Sequence, residues 1–130
     1  MRQLESMEQQ RLFTWWRLEG CKTYGLPPCV LFAIPNGGKR SLKTAMQLKR
    51  EGVQPGVPDI FLAVPARHHY GLFVELKRPK SPGVRAGSPS KAQREVMANL
   101  MASGYGCKVA YGADEARRVI EWYLGWEEEA

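Results

Sequence analysis

Two apolar segments joined by a short polar connection constrain the fold of this chain most strongly. Residues 59–64 (DIFLAV) and 70–77 (YGLFVELK) have strand-like composition, and the connection 65–69 predicts that they form a β-hairpin. Further strands are predicted at 29–34 and 107–111, and helices at 4–22, 41–51, 90–103 and 113–124. This mixed order predicts an α/β fold with a mixed central β-sheet flanked by helices. A length of 130 residues fits a single domain spanning 1–130.

The hairpin carries three charged residues that belong together. Side chains alternate along a strand, so Glu75 and Lys77 point to the same face. Asp59 follows Gly56-Val57-Pro58 directly and opens the neighbouring strand, so it can lie at the same end of the hairpin. Two converging carboxylates repel unless a cation lies between them, and Mg²⁺ prefers carboxylate and water oxygens. Lys77 would then orient a water or stabilise a phosphate; the alternative is a surface ion pair on an edge strand.

A further acid is expected from the first helix. Glu8 lies within an apolar stripe formed by Leu4, Leu12 and Trp15, and a charge on a core-facing stripe needs an explanation. Either Glu8 is a third carboxylate at the metal site, or it is a boundary residue whose carboxylate reaches solvent, or it is an N-terminal acid that favours the helix dipole. Glu5 flanks the same stripe, so the choice between Glu5 and Glu8 stays open.

Gln93 has two interpretations as well. It lies on a helical stripe with Val96, Met97 and Leu100, which favours an inward-facing side chain that contacts a phosphate or the attacking water. The alternative is structural, because Ser90-x-x-Gln93 has the capping-box pattern.

The charge distribution points to a polyanionic partner. The net charge is +6, but residues 39–94 alone hold twelve Lys or Arg against three acids, a net charge of +9. Solubility is the alternative explanation, whereas nucleic-acid binding explains the clustering. We predict phosphate contacts from the basic helix at 39–50 and the loop at 78–91, which contribute Lys39, Arg40, Lys43, Arg78, Lys80, Arg85 and Lys91.

Several classes of protein are excluded or disfavoured. No apolar run approaches the roughly 20 residues that span a bilayer, and no signal peptide, Walker A or GxGxxG pattern is present. Cys21, Cys29 and Cys107 are odd in number and form no CxxC pair, so core positions in a reducing cytoplasm are expected rather than disulfides or zinc. The two histidines, His68 and His69, are expected to be exposed in the hairpin connection.

Four motifs together resemble the VRR-NUC domain, the virus-type replication-repair branch of the PD-(D/E)xK nuclease superfamily. They are Pro35-Asn36-Gly37, Gly56-Val57-Pro58-Asp59, Val74-Glu75-Leu76-Lys77 and Ser90-x-x-Gln93, and the resemblance extends from about residue 8 to 122. It implies the restriction-endonuclease-like core of that superfamily. The compact length is similar to stand-alone members from phage and bacteria, which implies the cytoplasm of a bacterial or phage-infected cell.

The resemblance also implies a chemistry. Asp59, Glu75 and the Leu76 carbonyl would bind Mg²⁺ or Mn²⁺, with Glu8 as the first-helix acid. Lys77 would be catalytic, Gln93 would belong to the active site, and Asn36 would join the residues that contact DNA. Stand-alone members look like homodimeric resolvases of branched DNA such as Holliday junctions. Three alternatives are a nickase or flap nuclease, a non-catalytic DNA-binding module, and a protein-interaction domain.

Overall fold

A computed structural model describes residues 2–35 and 41–125. Helix α1 (Arg2–Trp15) continues through a π-helical turn (Trp16–Gly20) into the short α2 (Cys21–Thr23), and a 3-10 turn (Pro28–Val30) leads into strand β1 (Leu31–Ala33). The remaining elements are α3 (Leu42–Arg50), β2 (Ile60–Leu62), β3 (Leu72–Lys77), α4 (Lys91–Ala102), β4 (Gly106–Tyr111) and α5 (Ala113–Tyr123). No helix within these ranges is long and apolar enough to cross a bilayer.

The four strands form one sheet in the order β1-β2-β3-β4. β1 pairs with β2 and β2 with β3 in antiparallel fashion, whereas β3 and β4 run parallel because α4 returns the chain between them. The mixed, helix-flanked sheet predicted from the sequence is confirmed. β3 is the central element, since it is the longer partner of β2 and pairs along its whole length with β4.

The register of the hairpin brings the acidic residues together. Ile60 lies opposite Val74, so Asp59, one residue before it, lies across from Glu75. Because side chains alternate, Glu75 and Lys77 project to the face of β3 that carries Phe73. The opposite face of β3 consists of buried apolar residues, namely Leu72, Val74 and Leu76.

The core lies between that apolar face and the first and last helices. The buried residues of α1 and its continuation are Leu12, Phe13 and Trp16, whereas Leu4 is 50% exposed. The stripe expected from Leu4, Leu12 and Trp15 is therefore wrong in part. The helix packs on α5 and β3 over its C-terminal half, so its first turn is not covered by the core.

Three other sequence expectations need correction. The strand predicted at 29–34 is reduced to three residues of an edge strand, and its Phe32 is 43% exposed. Cys29 is exposed rather than a core residue. His69 is half-buried and stacks on Tyr123 at a centroid distance of 6.4 Å, so only His68 is exposed as expected.

Serine side chains cap the N-termini of α3 and α4. Ser41 accepts a hydrogen bond from the Thr44 N–H at 3.1 Å, and Ser90 forms a complete capping box with Gln93. Gly56 fixes the approach of the 52–59 loop to α4: its φ is +90°, and a Cβ there would lie 2.7 Å from the Ala92 carbonyl oxygen. Glycine at this position therefore lets the loop that carries Asp59 contact α4 closely.

Candidate active site

A cavity of about 590 Å³ opens where the hairpin, α1 and α4 meet. Five segments line it: the first helix, the end of β1, the loop before β2, the end of β3 and the start of α4. The lining residues that carry chemistry are Glu5, Asp59, Glu75, Lys77 and Gln93. The structure thus places the four residues predicted to be catalytic around one cavity.

Asp59 is held by the backbone of the neighbouring strand. Its Oδ2 accepts a hydrogen bond from the Leu76 N–H at 2.8 Å. This bond continues the β2–β3 hairpin beyond its last residue pair, and the Asp59 carboxyl lies within hydrogen-bonding reach of the Glu75 carboxyl. Leu76 also lines the cavity, so the residue implied as a carbonyl ligand is present at the site.

Glu75, Lys77 and Gln93 form one hydrogen-bonded group. The Glu75 Oε2 accepts from Gln93 Nε2 at 3.0 Å and pairs with Lys77 Nζ at 3.4 Å. Lys77 Nζ in turn donates to Gln93 Oε1 at 3.2 Å. Both charged side chains are largely buried, with exposed fractions of 4% for Glu75 and 16% for Lys77. The ammonium group is therefore fixed beside the acids rather than free in solvent.

Burial makes the two carboxylates unusually basic. Burial raises the pKa of Glu75 to about 7, with the charge of Asp59 adding to the rise and Lys77 opposing it. Burial also raises the pKa of Asp59, although the hydrogen bond from Leu76 partly offsets it. A cation bound between the two carboxylates would favour their ionised forms and take the place of protons.

One buried atom of the site fits a bound cation. The Glu75 Oε1 is buried and has no hydrogen-bond partner within the described chain. A buried acceptor without a partner is costly, and a bound metal would satisfy it. No group of three or more His, Cys, Asp or Glu converges for a metal among residues 2–35 and 41–125. Two carboxylates suffice for Mg²⁺, which keeps several waters and takes other oxygens from substrate phosphates.

The structure does not bring Glu8 to this cavity. Its Oε1 accepts from the Ala113 N–H at 2.9 Å, and its carboxylate pairs with Arg11 at 3.0 Å. It therefore caps the N-terminus of α5, where Gly112 offers no side chain of its own. A Cβ at Gly112 would lie 3.1 Å from the Glu8 Oε1, so glycine leaves room for this cap.

Glu5 is the other acid of the first helix that the sequence offered for the metal site, and it does line the cavity. It is half-buried and lines the cavity together with Ser6 and Gln9, which the sequence analysis did not single out. The spacing i, i+1, i+4 places these three polar residues on one side of α1, a signal that could have found them.

The basic residues predicted to contact DNA differ in their exposure and contacts, and none of those that the structure describes lines the cavity. Lys80 lies with its ammonium 4.5 Å from the centroid of the Tyr111 ring, and Arg78 is half-buried beside Lys77. Three others are exposed: Lys43, Arg85 and Lys91, the last within 3.9 Å of Glu95. Asn36, Lys39 and Arg40 lie outside the described residues.

Comparisons with known proteins agree with this geometry. The VRR-NUC domain family matches residues 5–114. A solved structure described as a VRR_NUC domain protein superposes with a TM-score of 0.76 at 26% identity, covering 95% of this chain and 90% of that chain. No curated protein matches the sequence.

Proposed function

The chain belongs to the VRR-NUC family of PD-(D/E)xK nucleases, and on this premise we propose that it is a metal-dependent DNA endonuclease. Its substrate is branched DNA, in which it hydrolyses phosphodiester bonds. The observation that carries the proposal is the buried Glu75 carboxylate. Its Oε1 has no hydrogen-bond partner among the residues that the structure describes, and the carboxylate lies across from Asp59 and contacts Lys77 at 3.4 Å. A binding module gains nothing from buried acids beside a phosphate, whereas a hydrolase uses them to hold a cation.

We assign the metal to Asp59 and Glu75. The carboxylates of Asp59 and Glu75 lie side by side, and Leu76 and Glu5 line the same cavity. Mg²⁺ or Mn²⁺ fits this set of hard oxygen donors. When bound, the metal supplies Lewis acidity that polarises the scissile phosphate and acidifies a water.

Lys77 and Gln93 complete the reaction centre. Lys77 is always close to the acids because Gln93 and Glu75 hold its ammonium group. It stabilises negative charge on the phosphate and orients the attacking water. Gln93 fixes both neighbours, since its amide nitrogen binds Glu75 and its amide oxygen binds Lys77. Preorganised groups of this kind need no rearrangement as charge develops.

The surface around the cavity suits the phosphate backbone. Arg78, Lys80, Arg85 and Lys91 follow Lys77 along the chain, and the exposed Lys43 lies on α3. Contacts from such side chains go to phosphates, so they select DNA shape rather than base sequence. Two symmetric cuts in a four-way junction require two active sites, which a two-fold homodimer supplies.

The test is cleavage of end-labelled four-way-junction, flap and linear duplex DNA by the wild-type chain with Mg²⁺, Mn²⁺ or EDTA. We expect metal-dependent cutting, abolished by EDTA, with the junction cut fastest and in paired strands. Preferential cutting of the flap by a monomer would replace the resolvase with a flap nuclease. Metal-independent cutting, or binding without cutting of any substrate, would contradict the proposal.

A further inference from the structure

A groove runs along α1 beside the cavity that Asp59, Glu75 and Lys77 line, which we call the catalytic cavity. Its volume is about 720 Å³, and α1 and the edge strand β1 form its walls. Ser6, Gln9 and Ala33 line both the groove and the catalytic cavity, so the two are one continuous depression. Nothing in the proposed chemistry accounts for this extension.

One wall of the groove is an unpaired strand edge. The hydrogen bonds from Ile34 to Asp59 and from Ala63 to Val30 show that alternate residues of β1 bond to β2. Leu31 and Ala33 therefore direct their backbone groups away from β2, towards the groove. Within 2–35 and 41–125, the Leu31 N–H bonds to Pro28, whereas the two carbonyls and the Ala33 N–H have no backbone partner.

The other wall is polar and carries no negative charge. α1 contributes Gln9, Gln10 and Thr14, and Arg17 lies at the far end with its guanidinium 5.5 Å from the centroid of the Phe13 ring. No Asp or Glu lines the groove in the part of the chain that the structure describes. The groove thus differs from the catalytic cavity, whose acids would repel a phosphate unless a cation lay between them. The groove suits a phosphate backbone without such a cation.

The dimensions match a short stretch of nucleic acid. From Gln9 to Arg17 the helix rises on the order of 12 Å. A stacked strand advances about 3.4 Å per nucleotide, so the groove accommodates roughly three to four nucleotides. Phe32 is 43% exposed at the groove, where its ring offers a face for a base.

We propose that this groove binds the segment of the cleaved strand that adjoins the scissile phosphate. Gln9 contacts the nucleotide nearest the reaction centre, and Arg17 binds a phosphate about three nucleotides away. The proposal rests on the proposed nuclease function, because it orders the strand relative to that site. A β-strand of a partner protein is the other occupant that an unpaired edge could take. The polar wall, the absence of acids among its described residues and the continuity with the catalytic cavity favour DNA.

A native thiol reports on the groove. Cys29 is exposed and lines it, whereas Cys21 is buried. The rate of Cys29 alkylation by N-ethylmaleimide should be measured in Glu75→Gln, so that the DNA stays intact, with and without an unlabelled branched DNA. At a DNA concentration ten times the Kd, occupancy should slow alkylation about tenfold. The half-buried Cys107 serves as the internal control. An unchanged Cys29 rate at saturating DNA would overturn the proposal.

Charge substitutions test the same groove by affinity. Arg17→Glu should weaken DNA binding roughly tenfold and lower the slope of log K against log salt, because a phosphate contact is lost. Arg118→Glu is the matched control, an exposed arginine on α5 outside the groove, and should bind like the wild type. Gln10→Lys should tighten binding, which guards against a variant that merely folds poorly. Circular dichroism of each variant checks the fold.

The possible outcomes distinguish failure of the groove proposal from failure of the proposed nuclease function. If Arg17→Glu binds and cuts like Arg118→Glu, the groove proposal fails although the nuclease stands. If Arg17→Glu alters the oligomeric state and leaves DNA affinity unchanged, the groove holds a protein strand and the proposal is likewise overturned. If Arg17→Glu weakens binding while the wild type cuts no substrate, strand binding is supported and the catalytic function fails.

Discussion

The Gln93 Nε2 donates a 3.0 Å hydrogen bond to the Glu75 Oε2, linking α4 to β3. The other end of the same side chain accepts from the Ser90 N–H at 2.9 Å and from Lys77 Nζ at 3.2 Å. The capping and active-site interpretations of Gln93 are therefore compatible, because one amide makes the contacts that each of them requires. The cap fixes where α4 begins, and so fixes the amide beside the acids.

The two sets of contacts that Gln93 makes can be tested separately. Gln93→Ala should lower cleavage by roughly a hundredfold, because Lys77 and Glu75 lose their common partner. Ser90→Ala removes only the reciprocal half of the capping box, and it should cost about 1 kcal/mol of stability with little effect on cleavage. Cleavage rates and chemical denaturation of both variants provide the measurement. Equal loss of activity in the two would mean that Gln93 acts only as a cap.

Removing the buried charge of Glu75 should raise the stability of the fold and abolish cleavage. Glu75→Gln keeps the side-chain shape but eliminates a carboxylate whose Oε1 has no partner in the described structure and which Asp59 repels. Without metal at pH 8, we expect the melting temperature to rise by a few degrees, corresponding to about 1 kcal/mol, while cleavage is lost. Glu95→Gln, at an exposed acid on α4, is the control and should change neither. A lower melting temperature for Glu75→Gln would show that the ionised carboxylate stabilises the fold.

The raised pKa values set the pH dependence of the metal-free protein. The pKa of Glu75 lies near 7 in the folded chain and at about 4.5 when unfolded, so the folded state binds the proton more tightly. Its contribution to stability is complete below pH 4.5 and is lost as the pH rises through 7. The burial-raised pKa of Asp59 acts in the same direction.

The difference in unfolding free energy between wild type and Glu75→Gln isolates this effect. In EDTA, the wild type should lose stability relative to the variant between about pH 4.5 and 7. Mg²⁺ should reverse the trend, because it binds the ionised carboxylates and its affinity rises with pH. A pH-independent difference would rule out the titration of Glu75 in this range.

The two acids of α1 provide a matched pair. Glu8→Ala removes the cap of α5, so it should cost about 1 kcal/mol of stability and leave metal-dependent cleavage intact in the folded fraction. Glu5→Ala removes the acid that lines the catalytic cavity, so it should reduce cleavage with little change in stability. Melting curves and single-turnover rates at one temperature compare them. If instead Glu8→Ala reduced cleavage and Glu5→Ala reduced only stability, Glu8 would be the first-helix acid at the metal site.

The sequence predicts the strands and the acidic pair because both depend on local rules. Alternation puts Glu75 and Lys77 on one face, and the short connection brings Asp59 to the same end of the hairpin. The observed register then sets Asp59 across from Glu75. The capping pattern likewise predicts the start of α4 at the residue where the helix begins. These features need only near neighbours along the chain or across one turn.

The contacts of the first helix cannot be predicted in the same way, because its partners are distant in sequence. Glu8 pairs with the N-terminus of α5, more than a hundred residues later, and periodicity alone does not reveal that contact. The buried face of α1 is likewise selected by α5 and β3, so Leu12, Phe13 and Trp16 are buried while Leu4 is not. The groove along β1 depends on which strand lies at the sheet edge, which is a property of the whole topology.

The central claim is that Lys77, held against Glu75 and Gln93, completes a metal-dependent cleavage site. Single-turnover cleavage of four-way-junction DNA with Mg²⁺ should be compared between the wild type, Lys77→Met and Lys22→Met, an exposed lysine of α2 outside the site. We predict that Lys77→Met loses at least roughly a hundredfold in rate while still binding the junction, and that Lys22→Met cuts like the wild type. Cleavage by Lys77→Met at the wild-type rate would contradict the account.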